Sequence, residues 1–291
     1  MASVGAVLLA LLGYASAEYN ATVGKSLLYY SSATFCEDYS LQSWYCGNAC
    51  KQTPGVTSVT FVSEIFQGTF GIVAYNNNTD SITIAFRGSY NTANWYLDLD
   101  YFLTPYETGP EGAEVHRGFY DAYLGLSYQV IDAVRGYLKD HPDATIQVTG
   151  HSLGASIATF AALDIKEQIK PSNKFDFYTF GSPRVGNQNF TDYIWSHFPD
   201  YYRVTHTNDI VPHLPAVEMG FNHAGHEVWY YDYDNATLFK ICPNKPGEEE
   251  NWDCSDSYYL YDPGAHLDYL GIDIMEQCDH PASCPKQTFL E

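Results

Sequence analysis

Apolar and polar positions alternate most regularly in the middle of the chain. Ile82, Ile84 and Phe86 alternate with Thr83 and Ala85, which predicts a strand. A second strand over 70–75 precedes it, joined through Asn76-Asn77-Asn78-Thr79-Asp80, residues that favour a hairpin turn. Apolar side chains then recur in steps of three and four at Phe119, Tyr123, Leu126, Val130, Val134 and Leu138. That spacing predicts an amphipathic helix, which His141-Pro142 ends. A strand over 145–150 follows, then a helix opened by Leu153, Ile157, Phe160 and Ala161. Further on come a strand over 175–180, a helix over 187–197 and a strand over 201–207. Strands alternating with helices, without a Pro/Gly-rich linker, predict one α/β domain with a mainly parallel sheet. From Cys242 onward the pattern loosens into Asp, Pro, Gly and Tyr.

The start of the chain reads differently. An apolar run from Val4 to Leu12 is followed by Ala15-Ser16-Ala17, a small-x-small cleavage pattern. The run is shorter than the roughly 20 apolar residues that span a bilayer, and no later stretch is long and apolar enough to do so. Residues 1–17 are therefore expected to be a signal peptide and 18–291 a single secreted domain. Four N-x-S/T sequons, at Asn20, Asn77, Asn189 and Asn235, suit an exported glycoprotein. So do the cysteines at 36, 46, 50, 242, 254, 278 and 284, which in an oxidising compartment are expected to form disulfides. Six cysteines can pair in 15 ways, so spacing leaves the connectivity open.

Charge narrows the partners. The formal net charge of −21 leaves no basic stripe for nucleic acid and disfavours an anionic membrane surface. With 45% hydrophobic and 16% aromatic residues the chain can build a core, which excludes intrinsic disorder.

The candidate chemistry lies where the strand over 145–149 must turn sharply into a helix: Gly150-His151-Ser152-Leu153-Gly154. Glycines flanking a serine at such a turn permit close packing and a strained backbone that lifts the hydroxyl clear of the sheet. The same turn sets the Leu153 N–H at a helix N-terminus, where an oxyanion can be held. A serine nucleophile needs a base, and the base needs an orienting acid. With the chain order Ser, acid, His, the base cannot be His116, His141 or His151. Asp209, in Asn208-Asp209-Ile210-Val211-Pro212 just past a strand, stands where the acid belongs. His213, His223, His226, His266 and His280 follow it, and His266 sits in a late loop, Pro263-Gly264-Ala265-His266-Leu267. His223 and His226 could suggest a metal pair at i, i+3, but no third ligand stands at a recognisable spacing, so no metal and no cofactor are expected.

These four motifs, Gly150-His151-Ser152-Leu153-Gly154, Phe86-Arg87-Gly88-Ser89, the run from Arg203 to Pro212 and Ala265-His266-Leu267, together resemble the fungal-type class 3 lipases and their relatives, the type A feruloyl esterases. The resemblance runs from about residue 25 to about residue 280. It implies an α/β-hydrolase fold with Ser152 as nucleophile, Asp209 as orienting acid and His266 as base. It also implies that Ser89 joins Leu153 in an oxyanion hole, and that Cys36 pairs with Cys278, Cys46 with Cys50 and Cys242 with Cys254, leaving Cys284 over. In these lipases the segment after Ser89 is a helical lid. Here it runs from Tyr90 to Leu99, and on a helix Trp95, Tyr96 and Leu99 share one face and Asn91, Asn94 and Asp98 another. An amphipathic lid favours a lipase acting on neutral lipid at an interface as a monomer. The stretch from Leu97 to Pro105, and Gly154-Ala155 in place of a double glycine, resemble instead the feruloyl esterases, which implies a feruloyl or other carboxylesterase. A non-catalytic binding module on the same fold would be expected to lack a member of the triad, and this chain has all three.

Overall fold

The computed structural model describes residues 18–90, 101–248, 250–258 and 260–280. The expected signal peptide, the lid residues Asn91, Asn94, Trp95, Tyr96, Asp98 and Leu99, and Cys284 lie outside them. The chain opens with helix α1 (Ala21–Ala33), whose first turn is capped by the Asn20 side chain accepting from the Thr22 and Val23 N–H groups. Two short helices follow, α2 (Asp38–Gln42) and α3 (Asn48–Gln52). Strands β1 (Val56–Glu64), β2 (Thr69–Asn76) and β3 (Ser81–Phe86) form an antiparallel meander. A small hairpin, β4 (Leu103–Pro105) and β5 (Glu114–His116), leads into the long helix α4 (Arg117–Asp140). Then strand and helix alternate: β6 (Thr145–His151), α5 (Leu153–Asp164), β7 (Phe175–Phe180), α6 (Gln188–His197), β8 (Tyr202–His206), β9 (His226–Tyr230) and β10 (Phe239–Cys242).

Eight of these strands form one sheet in the order β1-β2-β3-β6-β7-β8-β9-β10. β3, β6, β7, β8 and β9 run parallel, and β1, β2 and β10 antiparallel to their neighbours. Period-2 alternation explains how the sheet is covered. Ile82, Ile84 and Phe86 face a core with Val130 and Val134 of α4 and Ile157 and Phe160 of α5. Ala85, with Ile72 and Ala74, faces a second core built on Leu27 and Leu28 of α1, Phe180 and Tyr269. The predicted helical stripe from Phe119 to Val134 is buried throughout. Helix α5 is buried on every face from Gly154 to Asp164, because its Ala, Ile, Leu and Phe residues leave few polar positions and it lies between the sheet and α4.

Disulfides join Cys36 to Cys278, Cys46 to Cys50 and Cys242 to Cys254, the pairs implied by the resemblance. The first links the residue just past α1 to a residue 242 positions later. By chain entropy a closure that long stabilises the fold by up to about 5 kcal/mol. All four sequon asparagines are exposed. Among the described residues no helix is long and apolar enough to cross a membrane.

Candidate active site

Ser152 sits between the end of β6 and the start of α5 with φ 59° and ψ −128°. An L-residue at positive φ is strained, so the surroundings must enforce the turn. They do so through absent side chains. A Cβ on Gly150 would lie 2.1 Å from the Gly154 carbonyl oxygen, and one on Gly154 would lie 2.2 Å from the Phe86 carbonyl oxygen. Each glycine of the motif therefore allows a specific backbone contact, elbow against helix and helix against β3. Gly88 does the same from the neighbouring strand. A Cβ there would meet the His151 carbonyl oxygen at 2.8 Å and Ser152 Cβ at 3.2 Å. Ser89, the next residue, is thereby carried to the edge of the elbow, half-buried like Leu153. The leading N–H groups of α5 have no carbonyl a turn earlier to bond, and Leu153 contributes the first.

Asp209 and His266 are brought together as the sequence reading expects. His266 Nδ1 donates to Asp209 Oδ2 at 2.7 Å, and both side chains are buried. Asp209 also accepts from the Tyr269 hydroxyl on Oδ2 at 2.5 Å and from the Val211 N–H on Oδ1 at 2.9 Å. Burial is the largest influence on its pKa and pushes it up. The His266 ring, the Tyr269 hydroxyl and the Val211 N–H together outweigh burial and hold the carboxyl below its ordinary value. The acid is therefore an anion at neutral pH.

The loop carrying His266 hangs from three cross-links to the rest of the site. Asp262 N–H donates to the Asn208 carbonyl at 2.9 Å. His206 Nδ1 donates to the Ala265 carbonyl at 3.1 Å, and His151 Nε2 to the His266 carbonyl at 2.8 Å. His151, excluded as a base by chain order, is thus placed beneath the base, its ring centroid 4.4 Å from that of His266. Burial, then the adjacent His266, hold His151 well below the ordinary histidine value, so it stays neutral and donates through Nε2. Ser152 Oγ and His266 Nε2 are both buried and have no hydrogen-bond partner among the described residues. Buried polar atoms are normally paired; these two, with several others including His213 Nε2, keep their hydrogen-bonding capacity open.

The other histidines are occupied elsewhere. His213 pairs with Asp256, His223 Nε2 donates to the Pro212 carbonyl and His226 Nε2 to the Pro199 carbonyl. The His223 and His226 rings thus turn to different partners, and no group of three metal-ligating side chains converges among the described residues. His280 is exposed. Of the lid positions only Tyr90 is described; its hydroxyl accepts from Arg87 Nη1 at 3.0 Å, and Phe35 packs edge-on against its ring.

Three residues of the site were not legible in the pattern. Tyr269 stands on a tight two-strand hairpin (β11, Asp268–Tyr269; β12, Ile272–Asp273) whose turn puts Leu270 and Gly271 at positive φ. Gly181, φ 54°, has no room for a Cβ, which would lie 2.9 Å from both His266 Cε1 and the Tyr269 hydroxyl. His206 is a strand residue whose role depends on which loop lies above it. Only a Gly after a strand was a visible signal, and it did not name its neighbour.

A strained serine elbow on a parallel sheet, with a buried Asp–His pair on loops from later strands, defines an α/β-hydrolase. Within that class the chain belongs to the class 3 lipase family. The profile described as Lipase (class 3) matches residues 83–219. A lipase of Rhizomucor miehei is 36% identical over 234 residues, 79% of this chain and 62% of the relative. The chain thus spans about three fifths of that relative's length. A secreted mono- and diacylglycerol lipase A of Penicillium cyclopium is 33% identical over 220 residues, 72% of this chain and 70% of the relative. A solved triacylglycerol lipase whose catalytic centre is described as a serine protease triad superposes with a TM-score of 0.80 at 32% identity, covering 88% of this chain and 96% of that one.

Proposed function

We propose that this protein is a secreted serine ester hydrolase, a lipase whose substrate is a neutral acylglycerol presented at an interface. One observation carries the reading: the buried His266–Asp209 hydrogen bond of 2.7 Å stands beside a serine held at positive φ, with both reacting atoms left without partners. The lipase relatives support the choice of ester, and the disulfides support an oxidising, extracellular setting.

In this mechanism His266 Nε2 accepts the Ser152 proton as Oγ attacks the ester carbonyl carbon. Asp209, kept anionic, holds the Nδ1–H tautomer and stabilises the imidazolium that forms. The Leu153 N–H, with the hydroxyl and N–H of Ser89, stabilises the tetrahedral oxyanion, each donor contributing about 3 kcal/mol. His266 then protonates the leaving alcohol. Water, deprotonated by the same imidazole, releases the acid from the acyl-enzyme. Ser152 and His266 are 0% and 2% exposed, so a substrate reaches them only if cover is displaced. A lid from Tyr90 to Leu99, with Trp95, Tyr96 and Leu99 on its lipid-facing side, fits that need.

The test is initial rate against tributyrin concentration, carried through its solubility limit, with Ser152→Ala as blank. The expected outcome is a steep rise as the emulsion forms and no rate in the variant. Ordinary saturation below the limit would replace the lipase with an open-site esterase. An active Ser152→Ala would remove the triad altogether.

A further inference from the structure

The β1–β2 hairpin ends in the two most exposed large apolar side chains among the described residues, Phe66 at 98% and Ile65 at 89%. Hairpin tips are ordinarily polar, so an adjacent Ile-Phe pair in water needs a reason. The tip is also held firmly. Glu64 accepts from the Phe66 N–H at 2.8 Å and the Gln67 N–H at 2.6 Å, one carboxylate oxygen for each. Ser63 exchanges two hydrogen bonds with the Gln129 side chain of α4, and Arg87 Nη2 donates to the Gly68 carbonyl at 3.0 Å. The nearest charges, Glu64 and Arg87, are thus turned onto the hairpin's own backbone, and the apolar pair projects beyond them.

Sheet register decides where the tip points. Gly71 of β2 pairs with Phe86 of β3, and Phe86 with Gly150 of β6. The hairpin therefore emerges from the same end of the sheet as Ser152, two to three strand spacings, or about 10–14 Å, to the side. Helix α4 adds to the surface: Gly125 packs against Glu64, a Cβ there lying 2.9 Å from Glu64 Cγ, and its neighbour Leu124 is 49% exposed.

We infer that Ile65 and Phe66 form a fixed anchor that inserts into the surface of a neutral lipid droplet and holds the serine edge against it. The inference rests on the lipase reading and names how that site meets its substrate phase. A protein partner is disfavoured by size. An aromatic side chain buries about 150–250 Å², so the pair falls well short of the roughly 800 Å² per partner of a stable protein interface. A lipid surface needs no matching groove and accepts apolar side chains one by one. With the local charges spent and a net charge of −21, a neutral surface suits this tip better than an anionic one.

The test uses the full chain carrying Ile65→Ser with Phe66→Ser, substitutions at exposed positions. Three readouts are compared with wild type: co-flotation with triolein droplets coated with zwitterionic phosphatidylcholine, initial rate on tributyrin emulsion, and rate on dissolved p-nitrophenyl acetate. The bound fraction and the emulsion rate are each expected to fall about tenfold, from lost apolar burial. The dissolved-ester rate is expected to stay within about twofold because the triad is untouched. Ile65→Leu with Phe66→Trp should retain droplet binding. Unchanged flotation and emulsion rate would overturn the anchor while leaving the lipase reading intact. Equal loss on the dissolved ester would make the tip a structural part of the site and also overturn it. A wild-type dimer that the serine variant dissociates would assign the tip to a second copy instead. A wild type inactive on both esters would sink the lipase reading, and the anchor with it.

Discussion

Among the described residues two Asp–His pairs have the same length, and one of them has the surroundings expected of a catalytic site. His266 Nδ1 lies 2.7 Å from Asp209, and His213 Nδ1 lies 2.7 Å from Asp256. Both carboxyls titrate below the ordinary aspartate value. Burial raises each, and the histidine partner is the largest influence that reverses it. The neighbours differ. Asp256 also faces the Arg184 guanidinium at 3.6 Å, and Arg184 is in turn clamped by Glu250 through two charge-assisted hydrogen bonds of 2.8 and 2.7 Å. That pair belongs to a buried ionic cluster in which Arg184, Glu250 and Asp256 lie near Arg203 of β8 and Glu227 of β9. Among the described residues Asp209 instead receives only neutral donors beside His266, so its charge would be available to an imidazolium in the mechanism proposed above. A serine at a strained turn stands next to one pair and not the other. An Asp–His hydrogen bond is thus not a catalytic signature until the nucleophile and the uncompensated anion accompany it.

Substitution should separate the two pairs sharply. Asp209→Asn is expected to reduce kcat by roughly 10⁴-fold, because the wrong imidazole tautomer is held and the imidazolium loses its anion. Asp256→Asn should leave kcat within about threefold while lowering stability by about 1–3 kcal/mol, as His213 and Arg184 lose a charged partner. Kinetics and denaturant melts on both variants test this; a large kcat loss in Asp256→Asn would mean that the clusters are one functional unit.

Tyr269 sharpens the contrast, since its hydroxyl shares Oδ2 of Asp209 with His266. Tyr269→Phe should reduce kcat by about tenfold and stability by about 1 kcal/mol, the value of one hydrogen bond to an anion's shared oxygen. A kcat equal to wild type in that variant would reduce the hydroxyl to packing.

Each pair also has a buried neutral histidine beside it, His151 at the Asp209–His266 pair and His223 in the arginine cluster. Burial holds both well below the ordinary value of 6.5; the nearby His266 adds to this for His151, and Arg203 and Arg184 for His223. Folded chains therefore resist a proton that unfolded chains accept, so stability is complete above pH 6.5 and declines as pH falls through that value. The slope should be up to about 1.4 kcal/mol per pH unit for each histidine. His223→Gln should flatten the decline by about half without changing the activity profile, in melts from pH 7 to pH 5. An unchanged slope would mean that His223 is protonated in the fold.

The smallest expected effect concerns the surface charge. At low salt, hydrolysis at droplets doped with anionic phospholipid should run a few-fold slower than at zwitterionic ones, and salt should close the gap. Equal rates at low salt would remove net charge from the account.

Local pattern was enough for the elements whose two faces see different neighbours. The strand over 175–180 and the stripe from Phe119 to Val134 recur in the fold almost residue for residue, because alternation and 3.6-residue spacing are written along one segment. Helix α1 and strands β1, β9 and β10 were not anticipated. The second half of helix α1 is buried even at Ser31 and Ser32, so no polar stripe runs the length of the helix, and β1 and β10 are edge strands with mixed burial. The site divides in the same way. Gly150, Ser152 and Gly154 lie within one turn, and the backbone of that turn is local, so sequence alone determined its geometry. The partnership of Asp209 with His266, 57 residues apart, followed from a family resemblance rather than from spacing. Tyr269 on the shared carboxylate oxygen, His151 beneath the base, Gly181 against the imidazole and the second Asp–His pair were decided only by tertiary structure. Those contacts are made between loops from different strands, and a contact across a sheet edge leaves no periodic trace along the chain.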